Sequence, residues 1–290
     1  LHKEYRRQRQ MCIRDSQYIA PGTRIEYYYD IRDVTGRVFK TDPQIYTYLD
    51  NRFEWKTVTD GVITVFYFGS GTAEKAEQIL DICKATLDLM GPILGIEPAH
   101  PLHIVTYEDY SDMKVGLPFR SKTVSNSLIT NGIAFADERS LIIYASDNSF
   151  VGTTKHEFTH LLVGDAAGRA YNRVPLWLNE GLAEYIASIW DTNSEMWIRD
   201  LAINGEFPNI KELNGYMAYR GGQSVWNFIT EKWGEESIGE IFYQIKKTNN
   251  IQSKIAVILG SGLTNFFEDQ HILHSISYKD LPDFPQPTVE

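Results

Sequence analysis

The sequence predicts an α+β protein, a strand-rich first half feeding a helical second half. Two observations carry this. Up to about residue 145, apolar residues alternate with polar ones or form short blocks closed by turn residues. From about residue 152 the apolar spacing becomes helical and stays so. The 290 residues suit one large or two ordinary domains. A composition of 43% hydrophobic and 23% charged residues is globular and excludes wholesale disorder. The net charge is −10, which argues against nucleic acid or an anionic membrane as the main partner, because both need a basic face. Two cysteines, Cys12 and Cys83, rule out a disulfide scaffold and a thiolate-built zinc finger. No apolar run reaches the ~20 residues of a membrane span.

The elements follow in order. Residues 1–16, LHKEYRRQRQMCIRDS, lack the apolar centre of a signal peptide. MCIRDS resembles translated sequencing-adaptor sequence, so these residues are set aside as a non-native leader. The alternative is a genuine basic arm. Removing them leaves a net charge of −13. The chain opens on Leu and reads as a fragment. Ile25, Tyr27, Tyr29 and Ile31 alternate as a half-buried strand over 24–31. Phe53, Trp55 and Thr57 alternate in a second, with turn signals at Asp33–Gly36 and Thr41–Pro43 between them. Segment 17–58 thus reads as the end of a β-sandwich. Val62–Phe68 is the next strand. Thr72 stands as N-cap of a helix ending at Gly91, with Ala76, Ile79, Leu80, Cys83, Leu87 and Met90 on its apolar stripe. Cys83 on that stripe is a buried core thiol. Leu102–Tyr107 and Leu141–Ala145 are further strands. Helices are expected at 152–164, 177–190, 221–233, 236–247, 251–259 and 262–272. The tail 276–290 is Pro-rich and reads as a linker.

One stretch carries chemistry. His156-Glu157-Phe158-Thr159-His160 places two imidazoles at i and i+4, on one helical face and within reach of one metal. Glu157 lies beside that face and can contact a metal-bound water without being a ligand. On the motif alone the alternative is a solvated helix face, and a third ligand decides between them. In Pro175–Tyr185, PLWLNEGLAEY, Glu180 is separated from His160 by nineteen intervening residues, across a loop with Gly164, Gly168 and Pro175. The loop lets the second helix return and bring Glu180 to the metal. His156, His160 and Glu180 then make the two-His, one-Glu set of hydrolytic zinc enzymes. Glu184, one turn on, is placed to accept the other ring N–H of a zinc-bound His, with a plain surface carboxylate as the alternative. Asn179 stands to hydrogen-bond backbone near the site. The pairs His100/His103 and His271/His274 lack a companion carboxylate pattern. Glu108, Asp109 and Asp112 read as a solvated acidic turn rather than a calcium site. Trp177, Trp190, Trp197, Trp226 and Trp233 fall on helical segments and read as core.

HEFTH followed by NEGLAEY resembles the gluzincin zinc metallopeptidases, and more closely the bacterial peptidase MA-like proteins. WKTVTDGVITVFYFGSGTAEKAEQIL, PLHIVTYEDYSDM, GIAFADERSLIIYA and AYRGGQSVWNFITEKWG extend the resemblance over about residues 52–262. APGTRIEYYYDIRDVTGR resembles the tail of a β-domain that often precedes this unit. The resemblance implies a gluzincin-like catalytic domain over 59–275, with an α/β lobe (59–150) and a helical lobe (151–275). It implies one Zn2+ per chain and peptide-bond hydrolysis with Glu157 taking and delivering the proton. It points to Tyr219 as donor to the oxyanion, with Tyr216 as runner-up. The usual AYxQS here reads Ala218-Tyr219-Arg220-Gly221-Gly222-Gln223-Ser224, two residues longer. The edge strand around Asn131, Gly132, Ile133 and Ala134 would pair with substrate backbone. A peptide or protein substrate, an extracytoplasmic location and a membrane tether outside this fragment are implied in the same way. The rival is a non-catalytic module of the same fold, zinc-binding or zinc-free.

Overall fold

The computed structural model describes residues 18–118 and 130–248. The leader, His271, His274, the two helices expected beyond residue 250 and the Pro-rich tail lie outside the described residues.

The centre is a five-stranded sheet of β5 (Lys56–Asp60), β6 (Ile63–Tyr67), β7 (Leu102–Tyr107), β8 (Gly132–Phe135) and β9 (Ser140–Tyr144). Their spatial order is β5-β6-β7-β9-β8. β6, β7 and β9 are parallel, and each edge strand is antiparallel to its neighbour. A parallel step needs a crossover. Helix α1 (Ala73–Leu94) supplies the one from β6 to β7. The central β7 is buried at all six residues, as a strand covered on both faces must be.

On one face Ile63, Val65, Ile104, Leu141 and Ile143 pack with Ile79, Cys83 and Met90 of α1 and Phe158, Leu161 and Leu162 of α3 (Phe150–Ala167). Cys83 is fully buried, as its place on the stripe indicated. The helical part adds α4 (Leu176–Ala187), α5 (Thr192–Ile203), α6 (Gly215–Trp233) and α7 (Glu236–Thr248). It sends Trp226 and Phe242 into the same core. On the other face Phe66, Val105, Tyr107 and Ile142 pack with Met113 of α2 (Tyr110–Gly116) and with Phe53, Trp55 and Phe68. The protein is therefore α+β, strand-rich first and helical second.

The structure corrects several elements. The strand expected over 24–31 is two, β1 (Arg24–Tyr27) and β2 (Asp30–Arg32). They fold back through β3 (Val38–Lys40) and β4 (Gln44–Thr47) as β1–β4 and β2–β3 antiparallel pairs. The ribbon breaks between its two pairs, where the Thr41 hydroxyl accepts from Tyr29 N–H at 2.9 Å, close to Pro43, which has no N–H to donate. The ribbon leaves Tyr29, Phe39 and Tyr46 exposed. Phe53 and Trp55 are core residues outside any strand. The strand begins at Lys56 and turns through Gly61-Val62 into β6, with Gly61 at φ +56°. α1 runs past Gly91 and stops where Gly95 adopts φ +63°, its N–H and that of Ile96 closing on Pro92 and Gly91 carbonyls. Thr72 precedes it, but its hydroxyl donates to the Phe68 carbonyl rather than capping the helix.

Helices α2 and α5 have no counterpart in the sequence reading. Each is capped by an aspartate, Asp109 accepting from Ser111 N–H and Asp191 from Ser194 N–H. α6 starts at Gly215 rather than residue 221, with Gly221 and Gly222 in its interior. Of the tryptophans, Trp226 is fully buried, whereas Trp197 and Trp233 are about one-third exposed. Buried His103 donates from Nδ1 to the Gly22 carbonyl at 2.6 Å and so holds the N-terminal strap to β7.

Candidate active site

α3 and α4 build the site. α3 carries His156 and His160 one turn apart, and a 3-10 turn over Gly168–Arg173 leads to Pro175, which opens α4. His160 meets Asn179 and Glu180, while His156 meets Glu180 and Glu184, so α4 runs back along α3. The Nε2 atoms of His156 and His160 stand 3.1 Å and 3.4 Å from the same oxygen, Glu180 Oε2. One ligand atom from each of the three lies within 4.8 Å of the others. It is the one such cluster among the described residues, so His100 and His103 form none.

The far ring nitrogens are held as well. His156 Nδ1 is 3.1 Å from Glu184 Oε1. His160 Nδ1 donates to Asn179 Oδ1 at 2.9 Å, and Asn179 Nδ2 donates to the Tyr171 hydroxyl at 3.3 Å. Asn179 was expected to bond backbone; it orients an imidazole instead, because it precedes Glu180 on the helix that faces His160. Glu184 accepts from Ser188 Oγ at 2.8 Å and pairs with Arg220 Nη1 at 3.4 Å. Tyr171, Ser188 and Arg220 escape a sequence reading. Only Ser188, at i+4 from Glu184, carries a local signal.

The electrostatics favour a cation. Burial works against charge on His156, yet hydrogen bonds to Glu180 and Glu184 and the charge of Glu157 carry its pKa up to about 10. Burial raises Glu180, and the two histidines outweigh it and bring that carboxyl down to about 2. Without a metal, a proton on His156 supplies the positive charge these carboxylates demand. A ligating imidazole is neutral, so a divalent cation would displace that proton. Two imidazole nitrogens and one carboxylate oxygen, each imidazole oriented through its other nitrogen, fit zinc.

Glu157 sits beside this set. Burial raises its pKa, against the opposing charges of His160 and His156 and a smaller pull from the Ala134 N–H. Its Cγ packs against Gly132, where a Cβ would stand only 2.7 Å away. Gly132 opens β8, an edge strand that starts one residue later than expected; Asn131 precedes it and accepts from Tyr144 N–H at 2.8 Å. That bond fixes the alternation. Ile133 and Phe135 turn their backbone groups to β9, and Gly132 and Ala134 turn theirs outward. Arg139, at the β8–β9 turn with φ +56°, pairs with Asp165 of α3 and ties this hairpin to the site helix.

Tyr219 of α6 lies parallel to His156, ring centroids 5.6 Å apart. Burial, then the charge and hydrogen bond of Glu180, hold its hydroxyl protonated well above the usual range. Tyr216 is 65% exposed and turns to Trp197 instead, so the runner-up donor is away from the ligands. The longer spacing before Gln223 is absorbed by helix. Gly222 packs on Gly181 of α4, and Gln223 donates to the Glu184 and Ser188 carbonyls.

The comparisons agree with this geometry. No curated protein matches the chain. The profile of the Peptidase MA superfamily matches residues 84–270, from within α1 through the two histidines, Glu157, Glu180 and Tyr219. That is more than half of the 290 residues, and the chain therefore belongs to the Peptidase MA superfamily of peptidases.

Proposed function

We propose that the protein hydrolyses peptide bonds at a zinc site formed by His156, His160 and Glu180, with Glu157 as general base. The observation that carries this is the convergence of both Nε2 atoms on Glu180 Oε2 with the Glu157 carboxyl buried beside them. When bound, the zinc lowers the pKa of a coordinated water and polarises the scissile carbonyl. Glu157 takes the proton of the attacking water and returns it to the leaving amine as the C–N bond breaks. Tyr219 donates its hydroxyl hydrogen to the oxygen that gains negative charge. Substrate backbone adds to β8 through the outward groups of Gly132 and the Ala134 carbonyl, the Ala134 N–H being given to Glu157. A purely structural metal site has no use for Glu157, and this favours the enzyme over a binding module. By resemblance the setting is extracytoplasmic.

Metal content and peptide cleavage, measured together, test this. Glu157→Gln should keep stoichiometric zinc and lose about 10²–10⁴-fold in kcat. A chelator should abolish turnover and added zinc restore it. Undiminished turnover by Glu157→Gln would remove Glu157 from the mechanism.

A further inference from the structure

The wall that Tyr219 lends the site continues beyond it. Tyr216 lies one turn earlier on the same face of α6. Its ring meets Trp197 of α5 at 5.4 Å. α5 buries none of its residues, and Tyr216 is 65% and Trp197 36% exposed. Two ring pairs, His156–Tyr219 and Tyr216–Trp197, thus stand one helical turn apart along α6, leading from the ligand cluster toward the surface. Open aromatic rings contribute little to the fold where they stand, and a contiguous apolar surface beside a cleft marks a binding region.

The two sides of the cleft differ. On one, Gly132 of β8 packs on Glu157; on the other, Tyr219 of α6 covers His156. An extended peptide added to β8 alternates its side chains between the two faces of the sheet, and those on the face that carries α3 and α6 point to the side of the rings. We infer, on the reading that this site hydrolyses peptides, that Tyr216 and Trp197 form a substrate subsite for a bulky apolar or aromatic side chain. Three residues of helix advance about 4.5 Å. The Tyr216–Trp197 separation adds 5.4 Å. Together they reach at most about three residues of extended chain at ~3.3 Å each. The subsite therefore reads the second or third residue from the scissile bond. Two flat rings take an apolar side chain by stacking and dispersion at little entropic cost.

The test uses peptides that differ only in Phe or Ser at the second and third positions on either side of the scissile bond. Zinc-loaded protein is assayed for cleavage, and zinc-loaded Glu157→Gln for binding by fluorescence anisotropy. The Phe peptide should be preferred about tenfold in both kcat/KM and Kd. In Trp197→Ala/Tyr216→Ser the gap should close, with circular dichroism and zinc content like the parent's. Tyr216→Ser alone, removing the more exposed ring, should narrow the gap and serves if the double variant does not fold. A preference that survives these variants, or none at any of the four positions, overturns the subsite. Cleavage without preference overturns the subsite and leaves the peptidase reading standing. Preferential binding without cleavage keeps the subsite and overturns hydrolysis, and neither binding nor cleavage overturns both.

Discussion

A Cβ on residue 132 would stand 2.7 Å from Glu157 Cγ and 2.7 Å from Thr153 Cγ2. Real side chains do not approach so closely, so Gly132→Ala must displace the base or the strand. Displacements of about 1 Å at a reacting group cost about 10²-fold in rate. Gly132→Ala should therefore lower kcat by that order with zinc content unchanged. Unchanged kcat would show that β8 yields to the added methyl without moving the base. His156, Glu157 and His160 were legible because one helix sets their spacing, and Glu180 because its helix must return across a loop. Tyr171 and Arg220 were not, because their roles depend on how closely separate helices approach, which no local pattern records.

That approach is set between elements. At the α4–α6 crossing, a Cβ on Gly181 would lie 2.6 Å from Gly222 Cα, and one on Gly222 would meet Gly181 Cα at 2.8 Å and the Trp177 carbonyl. Only glycines allow this contact. It brings Tyr219 over His156 and Arg220 to Glu184. Gly222→Ala forces the helices apart and should cost about 1–3 kcal/mol of stability, read as a lower denaturant midpoint. It should also reduce kcat, because Tyr219 moves with α6. An unchanged midpoint would show that the crossing adapts freely. The sequence reading began α6 at Gly221 rather than at Gly215, because glycine weakens a helix interior. α5 stayed invisible for a different reason. It buries no residue, and its clearest local signal, the Asp191 cap, serves turns as well as helices.

Across the molecule, the N-terminal strap lies over the outer face of the sheet. His103 holds Gly22, Ser140 donates to the Pro21 carbonyl at 3.0 Å, and Tyr18 donates to the Gly116 carbonyl while its ring meets Phe135 of β8. Burial lowers the His103 pKa from 6.5, against its bond to Gly22, and Arg24 and Arg139 add to the lowering. The unfolded chain then takes the proton first. The cost is absent above about pH 6.5 and grows as the pH falls below that value. Thermal midpoints between pH 7.5 and 5 should fall less steeply in His103→Gln than in the parent; parallel curves would exclude His103 as the cause. The strap was unreadable in advance because its anchors lie about 80–120 residues away in sequence. The two margins of the sheet are protected differently. β5 carries Lys56 and Asp60, and Asp60 is paired with Lys84. β8, Gly-Ile-Ala-Phe, has no charge and no proline. Bare strand margins are where separate molecules join into aggregates. Among the described residues, the edge that the proposed function gives to substrate is thus also open to a second copy, and the deterrent lies elsewhere. The net charge of −10 makes copies repel at a distance, and this colloidal barrier weakens as salt screens it.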